Sequence, residues 1–280
     1  MYKKILAAVN EHLNSEISAR YAMRLAKATG SKMFVCHVAG KGGREESFRL
    51  AEEAIKRLSL KAKDMGVRVE SIFDTGDTLE KIHRTVSSEN IDIVFVATRQ
   101  EDVQKRFYAG TMARRLSVNL PCSVALVRVV HLGRIHPKKI LVPLKARIDH
   151  IRERAYFAAK TAAAFESDIH LFHTTEPVTS FFHGEIHLKP VELEKKLPRD
   201  ILLFVEHLNQ YEVAHEKRLV SGKAGRNVMI EAAARRFDLV IMGASERSLV
   251  RSLLKGNPVE MLLRETPCDL IILKAAHEDK

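Results

Sequence analysis

IDIVFVA at residues 91–97 and FDLVIMG at residues 237–243 are one segment written twice. An offset of 146 carries the first onto the second. It also carries Gly76 to Gly222, Gly110 to Gly256, and Pro121-Cys122 to Pro267-Cys268. One offset held over about fifty residues marks a duplication. Each copy is a short, unbroken apolar run. A central strand of a parallel sheet reads this way, because both of its faces are covered.

Outward from residues 91–97, the first half alternates strands and helices. KKILAAV (3–9), MFVCHV (33–38), VRVESIFD (67–74) and CSVALVRV (122–129) read as further strands. Residues 15–29 carry Ile17, Tyr21, Leu25 and Ala28 at helical spacing, with Gly30 as a stop. Residues 44–65 place Phe48, Ala51, Ile55, Leu58, Ala62 and Met65 on one helical face. Residues 78–89 form a third helix, and a fourth follows Gly110. The second half repeats the order, from KILVPL through a helix over 150–165, DIHLFHT, a helix within 199–210, EVAHEKRLV, a helix over 225–235, FDLVIMG and CDLIILKA. The expected fold class is α/β: two tandem doubly wound domains, each a five-stranded parallel sheet with helices on both faces. The expected boundaries are 1–130 and 139–280, joined by the polar linker 131–138. A Pro-containing insert, 175–198, is expected to form a loop over the strand ends.

At 280 residues, two domains of roughly 140 residues suit the chain's length. No apolar run approaches the ~20 residues that span a bilayer, so membrane insertion is not expected. MYKKILAAVN reads as a strand rather than a signal peptide. Cys36, Cys122 and Cys268 each sit in an apolar run, which suits buried free thiols in a reducing cytoplasm. The net charge of +11 divides into +8 over residues 1–135 (23 basic against 15 acidic) and +3 over the rest (23 against 20). Basic and acidic residues alternate, no block of five like charges occurs, and aromatics are not interleaved. A solvated surface is expected, without specific nucleic-acid binding.

In a doubly wound sheet, ligands bind beyond the carboxyl ends of the strands at the switch point. The loop after the fourth strand leads to Gly110-Thr111 in one copy and Gly256-Asn257 in the other. Thr or Asn there is an N-cap, and Pro258 suits a first helical position. Free N–H groups and the helix dipole favour an anion, and a Gly allows close backbone approach.

With these residues in view, the chain resembles a tandem universal stress protein of the UspA-like family over nearly its whole length. The resemblance rests on ILAAVN and ILVPLK at strand one, FVCHV and LFHT at strand two, TGD and SGK, Pro-Cys before strand five, and the loop spacing. ATP-binding members carry Gly-x2-Gly-x9-Gly-Ser/Thr after strand four and an Asp ending strand one. Here the first copy reads Ala97-Thr98-Arg99-Gln100, nine residues, then Gly110-Thr111. The second reads Gly243-Ala244-Ser245-Glu246, nine residues, then Gly256-Asn257. The Asp position holds Asn10 in one copy and Lys145 in the other. Asn10 can still bond a ribose, whereas Lys145 can only donate. The side chain at Glu246 crowds the phosphate path and adds negative charge, which Lys145, Lys223 and Arg247 can offset. The resemblance thus implies nucleotide contacts at Asn10, Val38, Ala97, Arg99, Gly110, Thr111 and Met112 in one half. In the other half it implies Pro143, Lys145, Gly243, Gly256 and Asn257. The implied ligand is ATP, ADP or AMP, with no metal required. The two halves are expected to pair internally through their fifth strands, with a further homodimer open.

Other candidates weigh less. His170 and His173 point to opposite faces of a strand, and Gly184 and Pro190 place His183 and His187 in a loop, so a zinc site is not expected. Ser245 beside Glu246 lacks a partnering His, so no triad is supported. The expected function is a cytoplasmic, non-catalytic nucleotide-binding stress-response module. Its rivals are an interaction protein that binds no nucleotide and, behind it, a weak ATPase.

Overall fold

A computed structural model describes residues 1–40, 42, 45–98, 111–133, 135–175, 197–221, 224–245 and 258–276. The first half runs β1 (Lys4–Ala8), α1 (Leu13–Thr29), β2 (Lys32–Ala39), α2 (Glu45–Asp64), β3 (Val69–Thr75), α3 (Thr78–Glu89), β4 (Ile93–Ala97), α4 (Met112–Asn119) and β5 (Ser123–Arg128). The second runs β6 (Lys139–Leu144), α5 (Ile151–Phe165), β7 (Asp168–Thr175), α6 (Arg199–Asn209), β8 (His215–Ser221), α7 (Ala224–Ala234), β9 (Leu239–Gly243), α8 (Pro258–Glu265) and β10 (Asp269–Lys274). The sequence-based elements are present, with ends shifted by a few residues. Gly30 closes α1 in the left-handed region at φ 69°, the conformation that favours a glycine stop. Asp77 caps α3 by accepting from the Glu80 N–H at 3.0 Å. The insert 176–196 lies outside the described residues.

The strands form one sheet in the order β3-β2-β1-β4-β5-β10-β9-β6-β7-β8. Within each half every pairing is parallel, and the direction of winding reverses between β1 and β4 and between β6 and β9. The halves meet where β5 pairs antiparallel with β10. Leu126 stands opposite Ile272 at the centre of that ladder. These two residues are 146 positions apart, so they are the same position in the two repeats. A local two-fold axis therefore passes between them, as in an isologous dimer. Each fifth strand would otherwise present an unpaired apolar edge, and the pairing covers both.

The helices divide between the two faces. Residues of α1, α2, α5 and α6 pack with Ile5, Ile93, Ile140 and Ile271 on one face. Residues of α3, α4, α7 and α8 pack with Leu6, Val94, Leu126 and Ile272 on the other. Each core runs across both repeats, and α1 packs against α5 over the junction. The three cysteines are buried and unpaired, as their apolar contexts predict.

Candidate functional site: two unlike clefts

Both switch points open into clefts. The first, of about 820 Å³, brings together Asn10, Val38, Ala97, Thr111 and Met112. Arg99 and Gly110 lie outside the described residues. Thr111 caps α4, its hydroxyl accepting from the Arg114 N–H at 3.3 Å. This residue turns the start of α4 toward the cleft, as the Gly-Thr motif suggests. Asn10 is more committed than its sequence position implies. Its carboxamide oxygen accepts from the His12 N–H at 3.0 Å, and its own N–H donates to Ser15 Oγ at 3.0 Å. Ser15 Oγ in turn donates to the Asn10 and His12 carbonyls. The loop after β1 thus engages one lone pair of the acceptor that a ribose would use, and fixes the orientation of the Asn10 side chain.

The second cleft, of about 550 Å³, is lined by Pro143, Lys145 and Gly243. Gly256, Asn257, Lys223, Glu246 and Arg247 lie outside the described residues. Gly243 ends β9 on the same side as Ile241, facing α5. A Cβ there would collide with the Arg154 guanidinium, which lies against the Gly243 backbone. The space this glycine opens is therefore filled by the chain's own arginine. Arg154 is largely buried and pairs through Nη2 with Asp149.

Arg154 was not among the residues expected at the site. Its signal is nonetheless in the sequence: it precedes Ala158 by four, on the face α5 turns inward with Ala155, Ala158 and Ala162. A cation on an apolar stripe needs a polar destination. His37, and His173, which was weighed only as a metal ligand, have a tethering role that the sequence reading did not foresee. His37 Nδ1 donates to the Val9 carbonyl at 2.9 Å, and His173 Nδ1 donates to the Leu144 carbonyl at 2.9 Å. Each ties the end of the second strand of its repeat to the end of the first, at the floor of its cleft. FVCHV and LFHT therefore share a structural histidine. His170 instead lies 3.1 Å from Glu216 and packs edge-on against Phe237. Among the described residues no group of three His, Cys, Asp or Glu side chains is placed to hold a metal. His183 and His187 lie outside them.

The clefts differ in charge. Among the described residues the first is lined by Glu11, Glu45 and His37. The second is lined by Lys145, Arg147, Arg154 and His173. Among the described lining residues, one repeat therefore offers carboxylates and a helix N-terminus, and the other offers cations.

The model of the universal stress protein family matches residues 1–128 and 137–274. The chain is similar in fold to a universal stress protein from Archaeoglobus fulgidus DSM 4304, at a TM-score of 0.67 and 16% identity, over 99% of this chain and 97% of that one. It is similar also to the cytoplasmic domain of a prokaryotic cation chloride cotransporter, at a TM-score of 0.62 and 12% identity, over 99% and 96% of the two chains. A search of curated proteins finds no match.

Proposed function

Because the chain belongs to the universal stress protein family, matched in both halves, we propose that it is a non-catalytic cytoplasmic regulatory module that takes an adenine nucleotide in the first cleft. The observation that carries this reading is the convergence of Asn10, Val38, Ala97, Thr111 and Met112 around one opening at the switch point. Its volume of about 820 Å³ lies within the range of small-molecule sites. The amides at the start of α4 supply donors and a dipole to a phosphate. Asn10 Nδ2 can donate to a ribose oxygen. Asn10 and Lys145 stand where the family carries its Asp, so neither repeat supplies that acid to a metal-bound phosphate, and we assign no hydrolysis. Among the described residues no helix is long and apolar enough to cross a membrane.

A second reading, an interaction protein that binds no nucleotide, is favoured by one observation. Glu11 and Glu45 line the first cleft and oppose a polyphosphate. Calorimetric titration with ATP, ADP and AMP separates the two, together with ion-exchange chromatography of what the denatured protein releases. The nucleotide reading expects saturable 1:1 heat, weakened in Thr111→Val. Neither released nucleotide nor heat at about 1 mM ATP, a concentration that would detect even weak binding, would leave the second reading standing.

A further inference from the structure

Helical spacing puts Phe48 on one face of α2 with Ala51, Ile55, Leu58 and Ala62, and those four are buried. Phe48 is not. It stands one turn before the first of them, lines the first cleft and is 40% exposed. Its ring is nonetheless held. The His37 ring packs against it with centroids 5.8 Å apart and planes at 62°, and the Phe73 ring packs against it at 5.9 Å. His37 and Phe73 are register partners on β2 and β3. His37 follows Met33 and Val35 on the face that α2 covers, and its Nδ1 is fixed on the Val9 carbonyl at 2.9 Å. Phe73 is itself 43% exposed. Two phenyl rings therefore meet water, one of them in the wall of the cleft. The second repeat is built differently here. Opposite His173, the counterpart of His37, β8 carries Leu219 where β3 carries Phe73.

We propose that Phe48 is the base-stacking residue of the first cleft. The planar base of a nucleotide lies against its ring, and His37 and Phe73 hold that ring in place. The proposal rests on the nucleotide reading and supplies what that reading leaves unassigned, since Asn10 and the α4 amides address ribose and phosphate but not the base. An exposed phenyl offers a π face that a base can cover, and stacking removes apolar surface of both partners from water. The placement suits a nucleotide, because Phe48 comes from α2 and Thr111 from the start of α4, and both line one opening. Ring and phosphate-binding amides thus reach the cleft from separate elements. A ring clasped between two others also loses little rotamer freedom when a base settles on it.

The test uses the full chain and ATP, titrated by calorimetry into the parent protein, Phe48→Leu and Phe48→Trp. The first substitution keeps apolar bulk and removes the aromatic face, so ATP affinity should fall about tenfold. Phe48→Trp keeps such a face and should bind within about threefold of the parent. The parent chain contains no tryptophan, so indole emission in Phe48→Trp reports that position alone. ATP should quench it with the midpoint found by calorimetry. A side chain that only packed against His37 and Phe73 would show no such quenching. Unchanged affinity in Phe48→Leu, an equal loss in both variants, or binding to Phe48→Trp without quenching would each overturn the proposal and leave the nucleotide reading intact. No heat with the parent protein at about 1 mM ATP would overturn both together.

Discussion

The Lys274 ammonium donates to the Leu120 carbonyl at 2.7 Å, joining the last strand of one repeat to the end of a helix in the other. The bond has a mirror image. Arg128, 146 positions before Lys274, donates to the Thr266 carbonyl at 3.0 Å, and Thr266 lies 146 positions after Leu120. Both cations end a fifth strand, and both bond a carbonyl at the C-terminal end of the facing repeat's last helix, where the helix dipole favours positive charge.

Lys274 is buried and also bonds the Cys122 carbonyl at 3.3 Å. Lys274→Met should preserve apolar packing but leave these carbonyls short of a donor. A loss of about 1–3 kcal/mol is expected, read from the urea midpoint at constant slope. An unchanged midpoint would mean that the bonds across the junction contribute nothing net.

Tyr2 donates to Glu153 at 2.7 Å and Tyr21 to Asp269 at 2.7 Å, both across the junction. Burial, and then the neighbouring carboxylates, hold both phenols well above the ordinary value of 10.0. Their contribution is fully present below that pH. As pH rises past it and through the raised folded values, the unfolded chain releases protons that the folded chain keeps, and stability falls. Urea midpoints followed through the alkaline range should drop in the parent protein and drop less in Tyr2→Phe/Tyr21→Phe. The same alkaline slope in both proteins would exclude the phenols as its cause.

Burial pushes the thiols of Cys36, Cys122 and Cys268 up to about 12. A thiol held protonated and out of water reacts slowly. The native protein should leave all three unmodified by an aromatic disulfide reagent at neutral pH, and denaturant should release all three. Rapid labelling of the native state would show that β2 or the entry to β5 or β10 opens.

Gly243 and Arg154 should be coupled. Gly243→Ala displaces the guanidinium, a flexible end that can move, so a cost of about 1 kcal/mol is expected. In Arg154→Ala the same glycine substitution should cost almost nothing. Thermal melts of the four proteins complete the cycle. Additive losses would mean that Gly243 is there for some reason other than the arginine.

The strands and helices were legible because each carries its period in its own residues. IDIVFVA and FDLVIMG are unbroken apolar runs, and they are the central strands β4 and β9. The junction was legible in part: CSVALVRV and CDLIILKA read as edges needing cover, and they pair with each other. The cations that bond across it were not, since Arg128 and Lys274 look like ordinary strand ends until the facing helix is in place. At the clefts, Thr111 reads correctly as a cap. Asn10 does not read as a residue already engaged by its own loop, because that depends on how Ser15 folds back.

The duplication, the element order and the family follow from local pattern alone, since hydrophobic period and turn residues act over a few positions of chain. The unlike chemistry of the two clefts does not. It arises where α5 lays Arg154 against the backbone of Gly243, 89 residues later in the chain, and where Glu11 and Glu45 meet around one opening. Among the described lining residues, carboxylates therefore meet at one cleft and cations at the other, because packing between distant segments sets which side chains share a cleft.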